Sequence, residues 1–240
     1  MTFSLLPAID LTDGHLGVYS ALGPKRLDVF DGDPLAAARA YLAAGARWLH
    51  VVDMDLAFNG RATNVDLVRA IVEQSGEAPV QASGGVCTWE EVGAFLEAGA
   101  ARVVVSSAAL ADEGAVAEIL SRARPGEVLI GIEVRHGRVR SRGAQRVDLD
   151  LMATLGWLQA AGAPGFLVTA VDRVGTQGGP DTGLVRRVSR FGLPTLAAGG
   201  IRSLADLAAV RDAGATGAVV GRSALDGSLD LATALAWACA

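Results

Sequence analysis

Residues 83–110, SGGVCTWEEVGAFLEAGAARVVVSSAAL, align without a gap on residues 198–225, AGGIRSLADLAAVRDAGATGAVVGRSAL, at a constant offset of 115. Ten of the 28 paired positions are identical, among them both Gly-Gly pairs, both Ala-Gly-Ala turns and both closing Ala-Leu pairs. Each copy reads as a strand end, a helix and a second strand, and the offset is near half the chain length. That pattern predicts two duplicated half-barrels. Shared Ala/Gly composition is the competing explanation, but composition alone does not hold three separate motifs in register.

Outward from this repeat, apolar runs of strand type alternate with segments of helical period along the whole chain. The strands expected are Leu5–Ile9, Trp48–Met54, Pro79–Ser83, Arg102–Ser106, Val128–Val134, Gly165–Val171, Pro194–Ala198 and Gly217–Val220. Helices are expected over Pro34–Ala44, Asn64–Gln74, Trp89–Ala98, Glu113–Arg122, Leu149–Ala160, Thr182–Arg190, Leu204–Asp212 and Leu231–Cys239. Eight strand–helix units make a single α/β domain over residues 1–240, a (β/α)8 TIM barrel. A doubly wound open sheet competes, but such sheets more often have about five to seven strands.

The chain has 240 residues, 51% of them hydrophobic and 20% charged, a balance that suits a packed domain. A net charge of −5 without a Lys/Arg block argues against nucleic acid, whose phosphates demand clustered cations. No apolar stretch is long enough for a membrane span, and the opening MTFSLLPAID lacks the charged start and cleavage site of a secretion signal. Two cysteines, Cys87 and Cys239, cannot build a disulfide framework. A cytoplasmic protein is expected.

The 30 glycines fall at strand ends rather than in tracts. Glycine lets backbone approach an oxyanion closely, and N–H groups at a helix start supply donors. Gly84 and Gly85 with Ser106 and Ser107, and Gly199 and Gly200 with Gly221 and Arg222, therefore form two candidate phosphate grips, half a turn apart on the rim. A small molecule carrying two phosphates is the expected partner. Any one Gly-Gly pair could equally be a plain turn; the repetition favours the phosphate reading.

Catalysis in such barrels sits at the C-terminal strand ends. Asp10, Asp53, Asp55, Glu133 and Asp172 all lie there, as candidates for acid–base work or as helix caps. His50, inside strand 2, reads as packed or hydrogen-bonded. His15 and His136 have no metal-ligand spacing, and no P-loop, nucleophile elbow or dinucleotide fingerprint occurs, so no metal or organic cofactor is expected. The basic stretch Arg135–Arg146 follows strand 5 and is either a solvated loop or a partner for anionic groups.

Pro7-Ala-Ile-Asp10-Leu-Thr-Asp-Gly14, His50-Val-Val-Asp53-Met-Asp55-Leu-Ala-Phe58 with Asn64, and Ser83-Gly-Gly-Val86 together resemble the histidine-biosynthesis barrel isomerases. Gly175–Pro180, Ala198-Gly-Gly-Ile201 and Val220-Gly-Arg-Ser-Ala-Leu225 extend the resemblance over the whole chain. It implies an Amadori rearrangement of the aminal ProFAR to the aminoketose PRFAR, and in one branch isomerisation of phosphoribosylanthranilate as well. Asp10 falls on the family's strand-1 base and Glu133 on its strand-5 aspartate. Arg142 falls on a substrate-contacting arginine. Thr169, Gly175, Thr176 and Gly178 join the substrate-binding candidates. The family's other aspartate aligns with Val174, which cannot move a proton; Asp172 is the nearest acid by sequence. Losing one partner of an acid–base pair costs roughly 10²–10⁴-fold in rate. An enzyme for another phosphorylated sugar and a weak phosphoribosyl-binding barrel are thus the alternatives.

Overall fold

The computed structural model describes residues 3–20, 23–143, 145–176 and 178–239. Met1 and Thr2 of the opening run, and Gln177 of the Gly175–Pro180 segment, lie outside them. Eight parallel strands run β1 (Ser4–Thr12), β2 (Leu49–Asp53), β3 (Val80–Ser83), β4 (Arg102–Val105), β5 (Val128–Arg135), β6 (Phe166–Ala170), β7 (Thr195–Ala198) and β8 (Gly217–Val220). Each pairs with the next, and β8 pairs with β1 in the register Ser4↔Gly217, so the sheet closes into a barrel. Among the described residues eight helices of eight or more residues surround it: α1 (Pro34–Ala43), α2 (Val65–Ser75), α3 (Trp89–Glu97), α4 (Glu113–Arg122), α5 (Leu151–Ala160), α6 (Thr182–Ser189), α7 (Leu204–Asp212) and α8 (Leu231–Cys239).

Period-two alternation sorts each strand into an outward and an inward set. Leu5, Ile9 and Leu11 of β1 join the layer under the helices, as do Ile130, Ile132, Phe166 and Val168. Leu6, Ala8, Val104, Leu129, Leu167, Leu196 and Val219 fill the barrel interior instead. The next inward positions toward the C-terminal rim are Asp10, Ser83, Glu133 and Thr169. On the β5 to β1 side this register fills the barrel with apolar side chains and lifts the polar ones to its mouth, while on β2 to β4 the inward His50, Gln81 and Arg102 carry polar groups deeper in. A one-residue slip in any strand would bury its polar set under the helices.

The helices start where the sequence supplies caps. Thr88 and Glu91 form a reciprocal capping box at α3. Asp33, Asp112, Asp150, Asp181 and Ser203 accept backbone N–H groups at α1, α4, α5, α6 and α7. Each such cap contributes about 0.5–2 kcal/mol. The duplication extends to single bonds. Cys87 N donates to Glu91 Oε2 at 2.6 Å, and Arg202 N to Asp206 Oδ2 at 3.0 Å, again 115 residues on.

Short helical turns follow β4, β6 and β8 (Ser107–Ala111, Val171–Arg173 and Arg222–Leu225), and three other excursions depart from the plain strand–helix pattern. After β1 the chain doubles into a hairpin, His15–Ser20 against Gly23–Arg26. After β2 a short helix, Met54–Asn59, replaces the expected strand end, because the Asp53 carboxylate caps it through Asp55 N and Leu56 N. After β5 the chain folds back through Arg138–Val139, and Leu149–Asp150 pairs with that segment instead of opening α5.

Candidate active site

A cavity of about 360 Å³ opens at the C-terminal mouth of the barrel. Of the residues singled out from sequence, Asp10, Glu133, Arg142, Thr169, Gly84, Gly85, Ser106, Ser107, Gly175, Gly199, Gly200, Gly221 and Arg222 line it. The fold brings them together from strands far apart in sequence. That the phosphate grips lie on opposite walls follows from the closed strand order.

Asp10 sits on the cavity floor. Burial pushes its pKa up to about 6, and the nearby Arg142 guanidinium only partly offsets this. A carboxyl titrating near neutrality is suited to taking or giving a proton. Glu133 does something different. Its two oxygens accept from Arg142 Nε at 2.5 Å and from Arg142 N at 3.0 Å, so one carboxylate holds both the side chain and the backbone of the loop. Its own N–H is held by Ser107 Oγ at 2.8 Å, and that hydroxyl in turn donates to Gly131 O. Burial works against the Arg142 charge, but Glu133, and behind it Asp10, raise its pKa above the ordinary arginine value.

Arg142 lies 5.0 Å from the centre of the Tyr19 ring, and Tyr19 stacks on Phe58 at 5.8 Å. Hairpin, short helix and β5 loop therefore meet as a roof over Asp10. Three other arginines of the basic stretch turn to other partners: Arg138 and Arg140 both pair with Asp148, and Arg135 lies by Asp172.

The glycines of the grips have a steric reason as well as a chemical one. A Cβ on Gly84 (φ +115°) would stand 2.1 Å from Asp53 O, and one on Gly199 (φ +100°) 2.7 Å from Ala170 O. Each glycine lets its loop cross the end of the neighbouring strand. Ser106 N ties to Val86 O at 2.7 Å, while the equivalent carbonyl, Ile201 O, is taken by the Ser223 hydroxyl at 2.8 Å. At the second grip Gly221 presents bare backbone to the cavity, and Arg222 Nη1 braces Gly175 O at 3.1 Å.

Asp172, Thr176 and Gly178 are not among the lining residues. Asp172 faces a neighbouring depression, where it accepts from His136 N at 2.8 Å and lies near Arg135. Thr176 bonds within its own turn, to Arg173 O and Gly178 N. In the loop after β6 it is Val174, with Gly175, that lines the cavity. Asp53 and Asp55 are buried in a network with Asn64, whose Nδ2 reaches both at 2.8 and 2.9 Å, and with Thr12 and Asp13 N. They mount the rim rather than face a ligand. Tyr19, Gln81 and Arg102 escape a motif search; polar residues at inward strand positions were the signal that marks the last two.

Among the described residues no three His, Cys, Asp or Glu side chains gather as a metal site, and no helix is long and apolar enough to cross a membrane.

The histidine biosynthesis protein family model matches residues 4–230. The chain belongs to that family. A Cereibacter sphaeroides relative, 40% identical over 235 residues, covers 96% of this chain and 97% of its own length. It is named 1-(5-phosphoribosyl)-5-((5-phosphoribosylamino)methylideneamino)imidazole-4-carboxamide isomerase. Relatives in Roseobacter denitrificans, 38% identical, and Paracoccus denitrificans, 37% identical, carry the same name and cover 96% of this chain. In this member of the histidine biosynthesis family, the two inward carboxylates at the mouth of the barrel are Asp10 and Glu133.

Proposed function

We propose that the chain isomerises ProFAR to PRFAR by an Amadori rearrangement, with Asp10 as the base and Glu133 as the acid. The observation that carries this is the Asp10 carboxyl, drawn up to about 6 in a cavity walled by both Gly-Gly grips. The relatives' shared name supports the same reaction. Gly84, Gly85, Ser106 and Ser107 take one phosphate; Gly199, Gly200, Gly221, Arg222 and Gly175 take the other. Thr169 and Arg142 contact the ribose and the groups between.

Glu133, once Arg142 swings to the substrate, gives a proton to the ribose ring oxygen. The C1–O bond breaks and the nitrogen lone pair forms the C1=N iminium. Asp10 takes the C2 proton; that electron pair becomes C1=C2 and the C=N pair returns to nitrogen. Asp10 then returns its proton to C1 of the enolamine and Glu133 takes the O2 proton, giving the ketose and restoring both carboxyls. No proton or electron is left over.

We further read residues 1–240 as one domain acting in the cytoplasm as a monomer on a bis-phosphorylated substrate. The free thiols of Cys87 and Cys239 suit a reducing compartment. Only Val29 and Met152 are exposed large hydrophobics among the described residues, too little for an apolar interface. Neither an enzyme for another sugar nor a silent binder gains support from the relatives.

The test is ProFAR turnover, coupled to the following cyclase step, beside direct titration of the ligand. Asp10→Asn is expected to lower kcat by roughly 10²–10⁴-fold while binding persists. Turnover near the wild-type rate in that variant would remove Asp10 from the chemistry.

A further inference from the structure

Inward positions of β2, β3 and β4 carry four polar side chains, where the far side of the barrel has Leu167, Leu196 and Val219. Arg102, at the start of β4, lies with its guanidinium 4.5 Å from the centre of the Trp48 ring. Burial draws its pKa down to about 10. Among the described residues no carboxylate pairs with it. Its Nε donates instead to Gln81 Oε1 at 2.7 Å. Gln81 is fully buried, and its Nε2 stands 2.8 Å from His50 Nδ1. His50 Nε2 stands 3.2 Å from Ser83 Oγ, and Ser83 reaches Val51 O at 3.4 Å. His50 and Ser83 wall the cavity that holds Asp10.

The donors and acceptors fix the direction of this chain. A guanidinium only donates, so Gln81 turns its oxygen to Arg102. The Gln81 amide then faces His50 with N–H groups alone, which makes Nδ1 the acceptor and leaves the ring proton on Nε2. Burial, and after it the Arg102 charge, holds the His50 pKa down at about 3, so the ring is neutral. Its Nε2–H occupies a lone pair of Ser83, and the Ser83 hydroxyl proton becomes the last donor of the series. Val51 O at 3.4 Å is a poor acceptor for it. A ligand oxygen in the cavity would compete well.

We infer that Arg102 is a positioning residue: acting through Gln81 and His50, it makes the Ser83 hydroxyl a hydrogen-bond donor aimed at a substrate oxygen between the two grips. The identity of that oxygen, the ribose hydroxyl that becomes the ketone, rests on the isomerase reading. The direction of the chain does not. A preset donor at an oxygen whose charge changes during reaction lowers the barrier more than it tightens binding.

Long-range proton–nitrogen NMR of the imidazoles tests this, with the His50 signals assigned by their loss in His50→Asn. The wild type should show His50 protonated on Nε2. Arg102→Met keeps the apolar stem and frees the Gln81 amide to turn, so the Nδ1–H form should appear. The kcat should fall by roughly 10–100-fold with little change in KM, less than the roughly 10²–10³-fold for removing a preset donor outright, because the Ser83 hydroxyl is misdirected rather than lost. Arg102→Lys, which still donates, should recover most of both. If Arg102→Met does not fold, Gln81→Glu serves: its carboxylate can only accept, so it should place the His50 proton on Nδ1. A wild-type ring protonated on Nδ1, a tautomer unmoved by these variants, or a moved tautomer with unchanged kcat would overturn the inference. If the wild type does not turn over ProFAR, the isomerase reading falls, and the tautomers alone decide whether Arg102 directs the chain.

Discussion

The two repeated quarters of the barrel share a backbone and differ in what they turn inward. Residues 83–110 and 198–225 have the same capped helix and the same left-handed glycines. Each ties a carbonyl of its Gly-Gly loop to the next loop, through Ser106 N in the first and the Ser223 hydroxyl in the second. Position by position, however, Gln81 faces Leu196, Ser83 faces Ala198, Arg102 faces Gly217, Ser106 faces Gly221 and Ser107 faces Arg222 across the offset of 115. The first quarter carries a hydrogen-bonded chain through the barrel; the second is apolar below and basic at the rim. A Cβ at Gly217 would stand 2.4 Å from Ser4 O, so the second quarter has no room for an arginine there. Backbone demands are met twice because each grip needs the same turn. Inward side chains are free to diverge, and chemistry follows them.

The comparison breaks first if the glycines prove dispensable. Gly84→Ala should cost about 3–5 kcal/mol, since a left-handed residue gains a Cβ against backbone that cannot yield. Gly199→Ala should cost less, in line with its longer approach of 2.7 Å against 2.1 Å. Urea midpoints of the two variants check the order; equal, small losses would mean the loops adjust.

A second test moves polarity into the wrong quarter. Leu196→Gln copies the Gln81 position without its arginine or histidine, and should cost about 2–4 kcal/mol for a buried amide lacking partners. A neutral result in denaturant titration would show that water or Thr169 supplies a partner.

Asp10, on β1 between the two quarters, gives an effect of opposite sign. Its folded-state pKa is raised from 3.8 to about 6. The stability tied to the protonated form is complete below the unfolded value and lost as pH rises through about 6. Asp10→Asn should therefore stabilise the protein by about 2 kcal/mol at pH 8, allowing for partial solvation of the cavity. The gain should shrink as pH falls from 6 toward 4; a gain independent of pH would deny the burial cost.

The smallest effects separate two arginines of one loop. Arg142→Met should raise KM roughly tenfold, the worth of one charge-assisted contact. Arg138→Ala should leave Tm and kcat/KM unchanged, because its pair with Asp148 is exposed and screened.

Those two arginines also show where the sequence stops being legible. Eight strands, the glycine grips and Asp10 can be read in advance, because period-two patterns and strand-end glycines are local signals. The resemblance alone singles out Arg142; nothing local in the run does, because which arginine turns inward is decided by a long-range event, the Glu133 carboxylate folding the loop back onto β5. The hairpin after β1 likewise depends on pairing Leu11 with Leu16, not on any run of its own. Asp172 lies in the right loop by sequence and outside the cavity in space, since the turn at Val171–Arg173 directs it to His136 N. Arg102 and Gln81 sit inside apolar runs, and only the barrel's registers show that they meet.

The most direct test of the central claim, that Asp10 is the proton-transferring group, is the pH dependence of kcat/KM for ProFAR between about pH 5 and pH 8. The substrate phosphates titrate near 6 as well, so the same range is covered by titrating ligand binding to Asp10→Asn. With that binding curve divided out, the account predicts that activity still falls on the acid side with a midpoint near 6. A corrected profile that is flat through this range would contradict it.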